Sequence, residues 1–465
     1  MQPTTLVRSI LPALAFISSA VSFQLDPQSR DSLVAGAGIA ANNLIQLYDG
    51  YRSGGTTGMF VAPVYWWEAG AAWNAYLDFW RYTGNTTFNA VTKASLLWQV
   101  GANRDFLPAN FSTSAGNDDQ AFWGMAAMSA AEYNFSNPTD KEPQWLALAQ
   151  AVFNEQADRW DYASCGGGLR WQVFQYNQGY SYKNSISNGA FFNIAARLAR
   201  YTGNTTYGDW AERVFMYQLQ SGFTNESTYA IYDGGTVPTC KPINQIQWTY
   251  NNALFMGGSA FMYNLTNNAT WASRVDKFIT RMTEDFFGGA NQNIIYEPAC
   301  EPYDTCNVDQ HSFKGYLARN MGYTMQMYTA SRGRLLPLLQ TSAAAAAKAC
   351  TGTYAGMGNN ACGFKWTWNN GTFDGSTAVG FMVGQQLSAL ETIQANLAIY
   401  AQAPFTNATG GSSRGDAAAG TSGDSRTAAG IKVITPATNA DRAGAWILTT
   451  VFTALVFVFA WWVAF

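Results

Sequence analysis

Apolar residues recur along this chain at helical spacing, in stretches that run up to a tyrosine and then break into a polar turn. FWRYTGNTTF (79–88) and LARYTGNTTY (198–207) share the heptapeptide RYTGNTT, which marks an internal repeat. AAEYNFSNPT, AFMYNLTNNATW, MQMYTASRGR and LAIYAQAPF follow the same logic. Their tyrosines are Tyr82, Tyr133, Tyr201, Tyr263, Tyr328 and Tyr400, spaced 51, 68, 62, 65 and 72 residues apart. Two helices plus two connections need about sixty residues. Gly84 and Gly203 fall where a helix C-cap belongs, and a new helix starts after the turn, as in Trp145-Leu146-Ala147-Leu148-Ala149. Six helical hairpins in series form an open solenoid or a closed ring, and a solenoid needs polar caps. Small residues crowd the tyrosine-ending helices (Gly70, Ala71, Ala72; Gly124, Ala126, Ala127; Gly189, Ala190), as a tight inner layer requires. The expected fold is therefore all-α, an (α/α)6 toroid.

Counting back 13 or 14 residues from each tyrosine reaches Glu68, Asp119, Asn188, Tyr250 and Lys314, where the helices are expected to begin. The sixth copy breaks this rule, with Gln385 and Gln386 near that offset from Tyr400. Parallel inner helices place those starts on one face, around one pocket. The loops leading there rhyme as well: CGGGLRWQ (165–172), DGGTVPTC (233–240) and FGGANQNIIYEPAC (287–300) each pair glycines with a cysteine. Tight turns, short β-hairpins or loop insertions are expected on this face, presenting residues such as Trp171.

The ends carry their own signals. Residues 1–22 read as a secretory signal peptide, an apolar run closed by Ala20-Val21-Ser22. Residues 23–405 form the expected catalytic domain. Residues 406–444 are a Ser/Gly/Ala/Thr-rich linker, and 445–465 are an apolar tail without a basic flank, which fits a glycosylphosphatidylinositol (GPI) signal. Ser422, Gly423, Gly430 and Asn439 all qualify as the attachment residue. The expected location is the outer face of the plasma membrane, and the resemblance described below adds the cell wall. Nine sequons agree with secretion: Asn85, Asn110, Asn134, Asn204, Asn225, Asn264, Asn268, Asn370 and Asn407. Six cysteines form an even set without a CxxC, so disulfides rather than zinc are expected: Cys300 with Cys306, Cys350 with Cys362, and Cys165 with Cys240. No metal or other cofactor is implied, and a monomer is expected.

Charged residues make up only 12% of the chain and aromatics 15%, with a net charge of −3 and no basic run, so nucleic acid is excluded as a partner. Rings beside Asn, Gln and Asp suit a neutral, hydroxyl-rich ligand such as a sugar, although most of the rings belong to the core.

The candidate chemistry is Asp118-Asp119. On its own, an Asn-Asp-Asp helix start is a cap whose carboxylates meet the N-terminal dipole. Its place on the shared rim, its aromatic surroundings and the lack of other acid–base machinery favour catalysis. His311 has no nucleophile elbow to serve. Adjacent Cα atoms lie about 3.8 Å apart, so converging carboxyls approach the ~5 Å separation of a retaining glycosidase rather than the ~9 Å of a wide inverting site. Two acids this close share a proton, which supplies an acid and a nucleophile.

GNDDQAFWGMAA, WWEAGAAW, GGLRWQ followed by YSYKNSISNGAFFNIAARLARYTGN, and QWTYNNALFMGG together resemble glycoside hydrolase family 76 over roughly residues 25–405. With the C-terminal anchor signal, the resemblance is to its fungal GPI-anchored cell-wall branch, the "defective in filamentous growth" type. The resemblance implies an (α/α)6 barrel and retaining action on α-1,6-linked mannose. It also implies Asp118 as nucleophile and Asp119 as general acid/base. The implied donor is α-1,6-mannan or a GPI-core glycan, and cell-wall glucan is a possible acceptor. Trp66, Trp67, Trp123 and Trp171 are candidate stacking residues. Glu68, Lys183, Asn184, Asn188, Tyr250, Asn251 and Lys314 are candidate polar contacts. The competing readings are a non-catalytic mannan-binding wall protein and another (α/α)6 enzyme, such as a uronic-acid lyase. A single histidine weighs against the lyase.

Overall fold

The computed structural model describes residues 23–287, 293–354, 356–367 and 379–421, plus positions 446, 448–450 and 453. The signal segment, Asn370, the candidate anchor residues and most of the apolar tail lie outside them. Among the described residues no helix is long and apolar enough to cross a membrane.

The chain is built on thirteen described α-helices: α1 (Arg30–Ile45), α2 (Trp66–Thr83), α3 (Asn89–Trp98), the single-turn α4 (Ala109–Ser112), α5 (Asn117–Glu132), α6 (Trp145–Asp158), α7 (Ser185–Thr202), α8 (Thr205–Gln220), α9 (Thr249–Thr266), α10 (Ala269–Phe286), α11 (Gln310–Met327), α12 (Arg332–Lys348) and α13 (Val379–Ala395). Helices α2, α5, α7, α9, α11 and α13 form an inner ring: each packs on the next, and α13 packs back on α2. The ring is closed. Five outer helices follow their inner partners in sequence. The sixth, α1, comes from the N-terminus and packs on α13, so the last hairpin is completed by the first helix rather than in series.

The first five repeat tyrosines lie at or near the ends of their inner helices, whereas Tyr400 lies five residues beyond α13, at the end of a 3-10 segment. Gly84 and Gly203 cap α2 and α7 at φ 75° and 72°, the left-handed region that glycine enters without strain. The small residues serve close approach: a Cβ on Gly70 would lie 2.8 Å from the Trp123 ring, and one on Gly189 2.9 Å from Phe255.

Toward the C-terminal ends of these helices, the ring axis holds a buried polar network. Arg197 (α7) donates to Glu132 (α5) at 2.6 and 3.1 Å and to Ser129 at 2.7 Å. Arg319 (α11) bridges Glu391 (α13) at 2.5 Å and Asp78 (α2) at 3.2 Å. Tyr133 and Tyr323 both donate to Asp78, and Phe261 of α9 lies 5.5 Å from the Arg197 guanidinium. All six inner helices meet here.

Strand β1 (Tyr182–Asn184) pairs antiparallel with β2 (Gly234–Thr236), and β3 (Cys350–Tyr354) with β4 (Gly358–Cys362). Gly234 is required in β2, because a Cβ there would lie 2.2 Å from the Lys183 carbonyl. The third expected loop, 287–300, forms no strand among its described residues. The cysteines pair as Cys165–Cys240, Cys300–Cys306 and Cys350–Cys362. Asn85, Asn110, Asn204, Asn264, Asn268 and Asn407 are exposed, while Asn134 and Asn225 are half-buried.

The ordered body does not stop at Phe405. Residues 406–421 run on as a strap. Asn134 donates to Gly410 and accepts from Ser412, Ser413 accepts from the Leu146 amide, and Asn154 donates to the carbonyls of Ala417 and Ala419. Residues 406–421 of the expected linker therefore pack on the body, because polar groups in the strap find partners on α6 and on the loop before it.

Candidate active site

The inner helices run parallel, so their N-termini gather on one face, around a cavity of about 190 Å³. It is lined by Trp67, Asp118, Asp119, Phe122, Trp171, Tyr182, Asn184, Ile186, Asp233, Tyr250, Asp309 and Phe313. The second residue of α2, α5, α7 and α9 lines it in each case: Trp67, Asp118, Ile186 and Tyr250.

This register explains why several expected residues are elsewhere. Successive helix residues rotate by about 100°, so even neighbouring positions of one first turn point in different directions. Glu68 is the third residue of α2, Asn188 the fourth of α7 and Lys314 the fifth of α11, and none of them lines the cavity. Lys314 is fully buried, paired with Glu301 at 3.3 Å and seated over the Phe364 and Trp366 rings. Lys183 is equally buried, donating to the carbonyls of Asp161, Ser164 and Gly167 and pairing with the Asp161 carboxylate. Burial lowers the Lys183 ammonium to about 8, against the pull of Asp161. Asn188 clamps both backbone groups of Leu169. Lys183 and Asn188 thus brace the loop that presents Trp171 and do not face the cavity. Asn251 and Glu68 are buried, and their polar side-chain atoms have no protein partner. Burial and the charge of Asp309 push Glu68 well above the carboxylate range.

Trp66 and Trp123 belong to the core. Trp66 stacks between Phe111 and Trp123 at 5.5 and 5.4 Å, and Trp123 is fully buried against Phe106. Trp67 does face the cavity, with its ring 4.6 Å from Phe122 and its indole N–H donated to Asp309 at 3.1 Å. Tyr250 stacks on Phe313 at 3.8 Å. Asn184 lines the wall while accepting the Ser187 amide as the N-cap of α7.

Asp118 and Asp119 are the second and third residues of α5. Asp119 accepts the Gly116 amide at 2.7 Å, which is capping work. The Asp118 carboxyl is buried, with Oδ1 lacking a protein partner. Both converge over Gly116. A Cβ placed there would lie 2.4 Å from Asp118 Oδ1 and 3.3 Å from Asp119 Oδ2, so these oxygens are at most about 5.7 Å apart, the sum of the two. Burial first, then the neighbouring Asp119 charge, holds Asp118 well above the carboxylate range, against the amides of the helix start and the Trp171 indole. Asp119 is pushed up to about 6 by burial and by Asp309, and the Gly116 hydrogen bond opposes this. Both carboxyls are thus raised, and the pair is suited to hold one proton between them.

Asp233 and Asp309 escaped the sequence reading. Asp233 accepts the Tyr182 hydroxyl at 2.6 Å, and burial raises its carboxyl. Asp309 directly precedes α11 and is pushed up to about 6 by burial. Counting from helix ends landed on Lys314, one turn too deep; counting from the helix start would have found Asp309. Among the described residues the lining holds four carboxyls and no cation, and no group of side chains suited to a metal ion is present.

Residues 32–408 match glycosyl hydrolase family 76. The chain is 46% identical over 444 residues to the mannan endo-1,6-alpha-mannosidase DCW1 of Saccharomyces cerevisiae, covering 95% of each protein. It is 41% identical over 456 residues to that organism's mannan endo-1,6-alpha-mannosidase DFG5, covering 97% of this chain and 96% of the relative. The crystal structure of Dfg5 from Chaetomium thermophilum in complex with glucosamine superposes with a TM-score of 0.80 at 42% identity, over 85% of this chain and 97% of that one. The closed (α/α)6 ring, the acid pair at its mouth and these likenesses agree: the chain belongs to glycosyl hydrolase family 76 and is a glycoside hydrolase.

Proposed function

We propose that this chain is a retaining endo-α-1,6-mannosidase that transfers mannosyl units, working at the outer face of the plasma membrane or in the wall as a GPI-anchored protein. The observation that carries the reading is the convergence of Asp118 and Asp119 within about 5.7 Å, inside a cavity of aromatic rings whose described lining holds no cation. The names of the close relatives support mannan as the substrate class.

In this mechanism the carboxylate of Asp118 attacks C1 of the mannose while Asp119 gives its proton to the departing glycosidic oxygen. Asp119 then takes a proton from the acceptor hydroxyl, which attacks C1 and frees Asp118. Two inversions leave the α configuration. Burial raises both carboxyls of the pair, which suits the pair to hold one proton for the departing oxygen. Water as acceptor gives hydrolysis. A glucan hydroxyl gives a mannose–glucan bond, which joins a mannoprotein released from its GPI core to the wall.

The test is product analysis by mass spectrometry and NMR after incubation with an α-1,6-mannose oligomer and a glucan oligomer. New α-linked mannose–glucan products are expected, and Asp118→Asn or Asp119→Asn should abolish them in a folded protein. Full turnover by either variant would overturn the assignment. Trapping with a 2-fluoromannosyl fluoride should label Asp118, and a label on Asp119 would exchange the two roles.

A further inference from the structure

The cavity is small for a polymer, and one feature beside it is unused by the reaction. Residues 171–182, WQVFQYNQGYSY, contain five aromatic rings, four amide side chains and no charge. The segment is pinned to the approach of the acid pair. The Asn117 amide donates to the Trp171 carbonyl at 2.8 Å, the Val173 amide to the Ala115 carbonyl at 3.2 Å, and the Trp171 amide to Tyr182 at 2.7 Å. Asn177 donates to Gln172 at 3.1 Å within it. Gly179, at φ 97°, leaves room for Trp171, whose ring would lie 2.4 Å from a Cβ there. The flanking Arg170 is taken up by Asp161 at 2.8 Å and by the Tyr180 ring.

On this rigid lip Phe174 and Tyr176 lie nearly parallel, 6° apart with centroids at 5.5 Å, and Tyr176 is 52% exposed. Trp171, 37% exposed, lines the cavity three residues before Phe174. An exposed ring backed by a parallel, half-buried one matches the flat C–H face of a sugar, and interleaved amides match its hydroxyls. A lip without charge has no chemistry to hold an anionic ligand.

We infer that the Phe174–Tyr176 pair, with Trp171, is a binding site for neutral sugar units of a glycan chain that extends beyond the cavity. This rests on the proposed glycan function. The chain on the lip is either the extended mannan donor or the glucan acceptor, and the shared chemistry is a neutral, hydroxyl-bearing pyranose.

The experiment uses the full chain in detergent with Asp118→Asn/Asp119→Asn to block turnover, and calorimetric titration with α-1,6-mannobiose, α-1,6-mannohexaose and β-1,3-glucohexaose. Adding Phe174→Ala/Tyr176→Ala should weaken a hexaose about tenfold while the biose, confined to the cavity, changes less than about twofold. The hexaose that is lost identifies the chain on the lip. Tyr176→Phe alone, which keeps the ring, should bind like its parent. Unchanged affinity for both hexaoses, or an equal loss for biose and hexaose, overturns the inference. Absence of measurable binding of either hexaose to the parent does so too. If the parent binds hexaoses in this length-dependent way while the unmutated enzyme turns over no mannan, the functional reading fails and the lip stands. Turnover with ring-independent binding is the converse.

Discussion

Removing the Arg197 guanidinium should damage the fold without reaching the chemistry. Arg197→Met keeps much of the aliphatic stem but deletes two hydrogen bonds to Glu132 Oε2, at 2.6 and 3.1 Å, and one to Ser129 at 2.7 Å. Glu132 is fully buried and its Oε1 already lacks a partner, so the substitution strands a charge inside the ring. Stranding one half of a buried ion pair costs about 3–5 kcal/mol. The loss should appear as a lower midpoint in urea unfolding followed by tryptophan fluorescence. Glu132→Gln in the same chain removes the stranded charge and should recover about 1–3 kcal/mol relative to Arg197→Met alone. Asp119 and Glu132 are separated by about 20 Å along α5, so kcat on an α-1,6-mannoside at low temperature should match the parent. A loss below about 1 kcal/mol, or a double variant as unstable as the sum of the singles, would refute the view that this pair ties α5 to α7.

Three further outcomes are expected. Gly116→Ala places a methyl 2.4 Å from Asp118 Oδ1, and a displacement of that size should lower kcat about a hundredfold with the unfolding midpoint nearly unchanged. Asp309→Asn removes a charge that, after burial, helps to raise Asp119, so the acid limb of kcat/KM, set by full protonation of the Asp118–Asp119 pair, should move to lower pH; an unmoved limb refutes the coupling. A chain stopped after Phe405 forfeits the strap's bonds to Asn134, Leu146 and Asn154. It should be less stable by on the order of 2 kcal/mol than one stopped after Thr421, measured by urea unfolding.

The ring was legible because its signal is periodic. Tyrosine-ended helices, glycine caps and small inner residues all depend on local sequence, and they fixed six inner helices. That α1 supplies the sixth outer helix was not legible, since only long-range packing on α13 reveals it. The acid pair was legible as two adjacent carboxyls at a helix start. The rest of the lining was not, because a cavity selects side chains by direction as well as by depth. Lys183 and Lys314 look like rim cations in sequence, yet each is turned inward onto carbonyls and a carboxylate. Asp233 and Asp309 sit outside the inner helices, where a count along the repeat could not reach.

Parallel inner helices also explain how four carboxyls share one cavity without a cation. Each helix directs its positive dipole end to the site face, worth about 0.3–2 kcal/mol to a nearby anion, and its negative end to the base. Arg81 and Arg200 occupy the last turns of α2 and α7, where that negative end is met by positive charge. At the mouth, the dipoles offset only part of the burial penalty, which leaves Asp118, Asp119 and Asp309 all raised. Lysines lining the mouth would have paired the acids and ionised them all, removing the proton that a leaving oxygen needs. With Lys183 and Lys314 turned into the scaffold, the site keeps both a proton and a carboxylate, and the same lack of cations leaves nothing to attract an anionic sugar. A neutral glycan is then the ligand this field selects, and the ring's parallel closure is what creates the field.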